Sequence, residues 1–209
     1  MPGVKRSTEG LAPVPRERIE ALVARARERW PGWRGLHHAA LIALTYLSGR
    51  RASEVLGLTR QQVEVRLAEE LLVLRQVRIL KRFKKDKKTG KKSPIFADIE
   101  VPLRREDPLA QVVLEYLAWH DRSPSRIAKR LRAEGRLWAI RTRQRFWQIM
   151  VELDPGTWPH WLRHMRASHL AAVLDTWEHY DYFKWGKLET ARKYVHRRAS
   201  LEKIREAGL

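Results

Sequence analysis

Between Arg16 and Arg29 the apolar residues Ile19, Leu22 and Val23 recur at helical spacing among charges. The pattern predicts an amphipathic helix, entered through Pro15 and left at Pro31-Gly32. A second helix is predicted from about Gly35 to Ser48, where Ala39, Ala40, Leu41, Ile42, Leu44, Tyr46 and Leu47 make the segment apolar nearly all round, as a buried helix is. The pattern breaks at Ser48-Gly49 and resumes after Arg51 as a short helical piece with Glu54, Val55 and Leu56, ending near Leu58-Thr59. The texture then changes. Leu71 to Phe83 and Ile95 to Leu103 are rich in Val, Ile and Leu and bracket Lys87-Lys88-Thr89-Gly90, which predicts a β-hairpin with a long basic tip. After Pro108 helical periodicity returns over Leu109 to His120, Arg126 to Glu134, about Thr142 to Val151, and Trp161 to Leu174. Shorter helices follow at about Glu178 to Phe183 and Leu188 to His196, then a charged helix from Ala199. The reading is one α+β domain, mainly α, with a small antiparallel hairpin or sheet at one edge and no internal repeat.

Composition adds a partner. The 209 residues carry 43 Lys+Arg against 24 Asp+Glu, a formal charge of +19. Hydrophobic residues make up 44% and include nine Trp, enough for a buried core, so a wholly disordered chain is excluded. No stretch approaches the length of an apolar membrane span, and the start MPGVKRSTEG lacks the apolar run of a signal peptide, so a cytoplasmic protein with no membrane contact is expected. The absence of Cys excludes disulfides, thiolate metal sites and Cys nucleophiles. A basic domain of this kind points to a polyanion.

Four segments carry candidate chemistry. Residues 81–92 hold eight Lys/Arg against the single Asp86, a charge run suited to duplex phosphates through Lys84, Lys85, Lys87, Lys91 and Lys92. With Phe83 alone among them, stacking on single-stranded bases is not signalled. His160 and Arg163 fall one turn apart at a helix start, where both can donate to a phosphoryl oxygen. His164 follows His160 at i+4 without a third ligand at a recognisable spacing, so no metal is implied. Arg50 and Arg51 sit in a Gly-marked break, where a half-buried guanidinium wants either Glu54 or a bound phosphate; the segment alone leaves the two open. Tyr194 lies near the end of a short helix between basic residues, and neighbouring guanidiniums are the means of activating its hydroxyl.

The order of these signals is more specific than any one of them. Arg51 with Glu54 after an apolar helix, Lys-Thr-Gly in a hairpin ending Val101-Pro102-Leu103, His160-x-x-Arg163, then Trp185 nine residues before Tyr194 resembles the catalytic domain of the tyrosine recombinases, or phage integrases, over about residues 14–197. The resemblance implies Arg51, Lys88, His160, Arg163, Trp185 and Tyr194 as the catalytic set, with Glu54 supporting Arg51 and Lys85, Lys87 or Lys91 as substitutes for Lys88.

It further implies a site-specific recombinase that cuts and rejoins double-stranded DNA through a 3′-phosphotyrosyl intermediate, with no metal and no cofactor. Residues 1–13 read as a flexible arm and 198–209 as a C-terminal helix for partner contact in a homo-tetramer on DNA. Most members add a core-binding domain, for which this chain has no room; a separate DNA-binding subunit is one way of supplying it. Rival readings are a type IB topoisomerase-like strand relaxation, a degenerate integrase that only binds DNA as an accessory protein, and a general basic binding module.

Overall fold

The computed structural model describes residues 12–86, 89–90 and 92–195. In chain order the elements are α1 (Arg16–Arg29), α2 (Trp33–Ser48), α3 (Ala52–Leu56), β1 (Val63–Arg66), β2 (Leu71–Lys85), β3 (Lys92–Pro102), α4 (Pro108–Arg122), α5 (Arg126–Ala133), α6 (Arg143–Leu153), α7 (Pro159–Leu170), α8 (Thr176–Tyr182) and the helical residues 188–195, here α9. The mainly helical architecture with one small antiparallel sheet agrees with the expectation from sequence.

Helix α2 explains the layout. Every residue from Gly35 to Ser48 is buried, and a helix with no polar face must be covered on all sides. α1, α4 and α7 cover it, α1 through the buried stripe Ile19, Leu22, Val23 and Ala26. Side-chain caps begin several of the later helices. Asp107, Ser125, Thr142 and Asp175 each accept a backbone N–H from the first turn that follows. α7 begins at Pro159, two residues before the predicted start, and stops at Leu170 rather than Leu174. Its end tightens into three-residue hydrogen bonds, Val173 N–H to Leu170 O among them, before Asp175 caps α8.

The sheet has the order β1-β2-β3, all antiparallel. β1 was not expected: four alternating residues give too short a pattern to separate from a loop. Two irregularities shape β2. Leu72 and Leu74 alternate in the core cluster, but the next residues of the strand to join it are Val77 and Ile79, one place out of step. A bulge at Arg75-Gln76, with Gln76 left-handed at φ 49° and its N–H on Asp98 Oδ1 at 2.8 Å, restores the apolar side chains to the core face.

The second irregularity bears on the site. Ile79 pairs with Ile95, yet the next pair is Phe83 with Pro94, so residues 80–82 leave the ladder. The polar backbone groups of Leu80 go instead to α3. Its N–H donates to Glu54 Oε1 at 2.9 Å, and its carbonyl accepts from Arg51 Nη1 at 3.2 Å. Glu54, whose side chain has no exposed surface, also accepts from Arg51 Nη1 at 3.0 Å through Oε1 and from the Arg51 backbone N–H at 3.0 Å through Oε2. The root of the hairpin is thereby fixed to the arginine turn.

Glu54→Ala strands that N–H and guanidinium together, and should cost about 2–3 kcal/mol in urea unfolding. Glu54→Gln, which keeps an acceptor, should cost less than half as much. A second expectation concerns pH. His37, on α2, is 1% exposed and accepts the Ala139 N–H at 3.0 Å through Nε2. Burial, with help from His38 and Arg136, holds its pKa down at about 3. Below the ordinary imidazole value of about 6.5 the unfolded chain takes up a proton that folded His37 refuses, so stability present at neutral pH is lost on acidification. The loss due to His37 should reach about 2 kcal/mol at pH 5. Urea unfolding at pH 7 and pH 5 measures the total, and His37→Gln should shrink the difference by about that amount, with His38, His164 and His179, also lowered by burial, supplying the remainder.

Candidate active site

The turn after α2 separates two adjacent arginines. Gly49, left-handed at φ 60°, closes α2 by donating its N–H to Tyr46 O at 3.0 Å, and a Cβ there would fall 2.4 Å from the Phe183 ring. Beyond it Arg50 turns inward and Arg51 outward. Arg50 is fully buried, donating to the carbonyls of Tyr182 and, at 3.3 Å, Ser48. Arg51 is half-buried in the Glu54–Leu80 arrangement.

Arg163, from the first turns of α7, meets them from the other side. It has no exposed surface. Nη1 donates to Gly49 O at 2.6 Å and Nη2 to Phe183 O at 3.0 Å, while the guanidinium carbon lies 4.1 Å from the Trp185 ring centroid and 5.3 Å from that of Phe183. Burial foremost, then the charges of Arg50 and Arg51, push its pKa well below the usual guanidinium value. Burial lowers that of Arg50 as well. Among the described residues Arg50 Nη1 and Arg163 Nε find no hydrogen-bond partner, though both are buried. The site is thus a concentration of positive charge with spare donors, with Glu54 a buried carboxylate beside Arg51. Such a group is receptive to an anion.

A satellite cluster of Ala167, Phe183, Trp185 and Ala191 brings the tyrosine to this point, with Leu170, Tyr180, Tyr182 and Tyr194 packed on it. Tyr194, on α9, stacks on Trp185 with centroids 5.9 Å apart and planes 11° from parallel. Its hydroxyl is hydrogen-bonded to His164 Nδ1 at 2.5 Å. Burial raises the Tyr194 pKa to about 12, against the opposing pull of Arg163. Burial, then the Arg163 charge, lowers that of His164 to about 4. His179 orients the stack. Its Nε2 is 2.9 Å from the carbonyl of Ala167, which needs a donor, so Nδ1 is bare and accepts the Trp185 indole N–H at 3.3 Å.

The fold therefore gathers Arg51, Glu54, Arg163, Trp185 and Tyr194 into one neighbourhood. His160 lies exposed on the first turn of α7, its ring edge-on to His164 with centroids 4.9 Å apart. Lys84 and Lys92 are exposed on the paired strands, and Lys85 pairs with Lys92 through the backbone. Lys87, Lys88 and Lys91 lie outside the described residues, as do residues 1–11 of the expected arm and the expected helix from Ala199. Among the described residues no group of three or more His, Asp or Glu converges on a metal position, and no helix is long and apolar enough to cross a membrane. Sequence reasoning missed two partners. His164 was visible only as the second histidine of His160-x-x-x-His164, and His179 carried no signal, since its task exists only once α8 folds against α7.

A search of curated proteins finds no match. The fold is shared with the XerH site-specific recombinase, solved bound to difH substrate as a pre-cleavage complex, at TM-score 0.59 and 14% identity over 91% of this chain and 51% of that one. It is shared with the XerA recombinase at TM-score 0.61 and 17% identity over 99% and 67%, and with the Tn1549 transposon integrase, solved in complex with transposon right end DNA, at 0.58 and 12% over 96% and 68%. The chain thus spans about half the length of the XerH protein. The sequence profile of the phage integrase family matches residues 14–200, most of the chain, and on that match the protein belongs to the phage integrase family of tyrosine recombinases.

Proposed function

We propose that the protein is a site-specific DNA recombinase that breaks and rejoins duplex DNA through a phosphotyrosyl link at Tyr194. The observation that carries the reading is the meeting of buried Arg163, its neighbours Arg50 and Arg51, and Tyr194 around the Trp185 ring, a cationic group with unpartnered donors beside a potential nucleophile. Tyr194 attacks the scissile phosphate, forming the Oη–P bond while the bond to the 5′ oxygen breaks. The phosphate stays on the enzyme as a 3′ ester, so its bond energy is kept for rejoining. Arg51 and Arg163 hold the non-bridging oxygens as charge grows there, each offering a planar fork that lysine lacks. A hairpin lysine, Lys88 by the family pattern, protonates the departing 5′ oxygen. His160, exposed at the mouth, donates to the same phosphate. Trp185 is the floor beneath Arg163, and Glu54 aims Arg51.

The Gly49 and Phe183 carbonyls and the Trp185 ring enclose Arg163 and leave its Nε without a hydrogen-bond partner among the described residues. Duplex DNA is the macromolecular substrate, steered by the +19 charge and the hairpin lysines. Partner contacts through residues 198–209, assembly into a tetramer and a separate subunit for the core-binding role belong to the same proposal.

Two experiments test it. A duplex with a nick placed to trap the cleaved state should give a covalent protein–DNA adduct on a denaturing gel. Tyr194→Phe should abolish the adduct and leave DNA affinity within about twofold, since only the nucleophilic oxygen is lost. An adduct surviving in that variant removes Tyr194 from its role. Neutralising Lys87, Lys91 and Lys92 should flatten the dependence of log affinity on log salt by roughly 0.9 for each phosphate that these lysines neutralise. A slope that does not move places the hairpin tip away from DNA.

A further inference from the structure

The attack at Tyr194 has a proton to dispose of. The hydroxyl, its pKa raised by burial, is fully protonated at neutral pH, and a protonated phenol is a poor nucleophile. The family resemblance puts His160 in the catalytic set, within reach of the phosphate. For the proton the geometry favours a different residue. Tyr194 Oη has one hydrogen-bond partner among the described side chains, and it is His164 Nδ1 at 2.5 Å. His160 is exposed and meets the edge of the His164 ring, with centroids 4.9 Å apart.

We infer that His164 is a catalytic residue of this chain, the acceptor that takes the Tyr194 proton through Nδ1 as the Oη–P bond forms. The inference rests on the reading of Tyr194 as the nucleophile. Three features of the site support it. An imidazole kept neutral by burial and by the adjacent Arg163 charge has one bare ring nitrogen, and a phenol O–H is a suitable donor to it. The Tyr194 ring is clamped by its stack on Trp185, which His179 holds in turn, so the O–H is aimed rather than free to rotate away with its ring. His164 follows Arg163 directly on α7, so one helical turn presents both the charge that binds the phosphate and the base that frees the nucleophile.

The step balances. The Oη–H electron pair becomes the Oη–P bond, the proton moves to Nδ1, and the 5′ oxygen leaves with the P–O electron pair and a proton from the hairpin acid. In rejoining the 5′ hydroxyl attacks and gives its proton back to the hairpin lysine, while the imidazolium returns its own to the departing Oη.

The experiment uses the full chain and the nicked duplex. His164→Gln is close in volume and keeps an acceptor for the hydrogen bond, but takes no proton at neutral pH. It should slow adduct formation by at least about a hundredfold, the usual scale of general-base catalysis, with DNA affinity within about twofold of wild type. His164→Ala should be no faster. The loss should persist on a duplex with sulfur in place of the bridging 5′ oxygen, since a thiolate leaves unaided and the defect lies on the nucleophile side.

His164→Gln reacting at the wild-type rate overturns the inference and leaves only a positioning contact. Recovery on the sulfur substrate overturns it by moving His164 to the leaving-group side, and a faster reaction overturns it by making the bond a restraint on Tyr194. Absence of adduct in wild type removes the nucleophile itself, a failure distinct from these three, and takes this step with it.

Discussion

A guanidinium with no exposed surface must be solvated by protein, and Arg163 is solvated by two backbone carbonyls brought from distant parts of the chain. One belongs to Gly49, where α2 ends; the other belongs to Phe183, where α8 ends. Leaving such a charge unsatisfied in the interior costs several kcal/mol, so the ends of α2 and α8 are held against α7 by the need to supply acceptors. The side chain beneath the reacting group is therefore also a structural tie. The same contact explains why the glycine is needed. A left-handed residue must close α2 there, and the Phe183 ring lies where a Cβ would be.

The hairpin is tied to this turn by a second exchange of polar groups. Residues 80–82 leave the β2–β3 ladder, and the freed backbone of Leu80 is satisfied by Glu54 and Arg51. Removing ladder bonds would be costly in isolation. Here the same atoms orient the guanidinium of Arg51, so the position of the basic hairpin and that of the arginine are set by one set of hydrogen bonds.

Around these ties the aromatic cluster works through tautomers. His179 and His169 each face a carbonyl at Nε2 and leave Nδ1 bare for a donor, Trp185 in one case and the Tyr46 hydroxyl in the other. His164 meets the Tyr194 hydroxyl with the same ring nitrogen. Burial keeps His164 and His179 below the ordinary imidazole range, so in the resting site they are hydrogen-bond acceptors rather than extra charges in a chain already rich in them.

By itself the sequence determined what periodicity and local chemistry can carry. The amphipathic stripe of α1, the all-round apolar α2, the Gly49 break and the Val/Ile/Leu-rich hairpin each follow from neighbours a few residues apart, and the ordered Arg51, His160, Arg163, Trp185 and Tyr194 marked the family. The tertiary structure decided what depends on contacts between distant residues. It turned Arg50 inward, onto the carbonyl of Tyr182, and Arg51 outward, onto the carboxylate of Glu54, which the composition of their turn left open. It moved the β2 register by a bulge that restores the core face, and it chose His164 over His160 as the partner of Tyr194. Hydrogen bonds spanning 30 to 132 residues have no local pattern to betray them, since their strength comes from burial that exists only after the chain has packed.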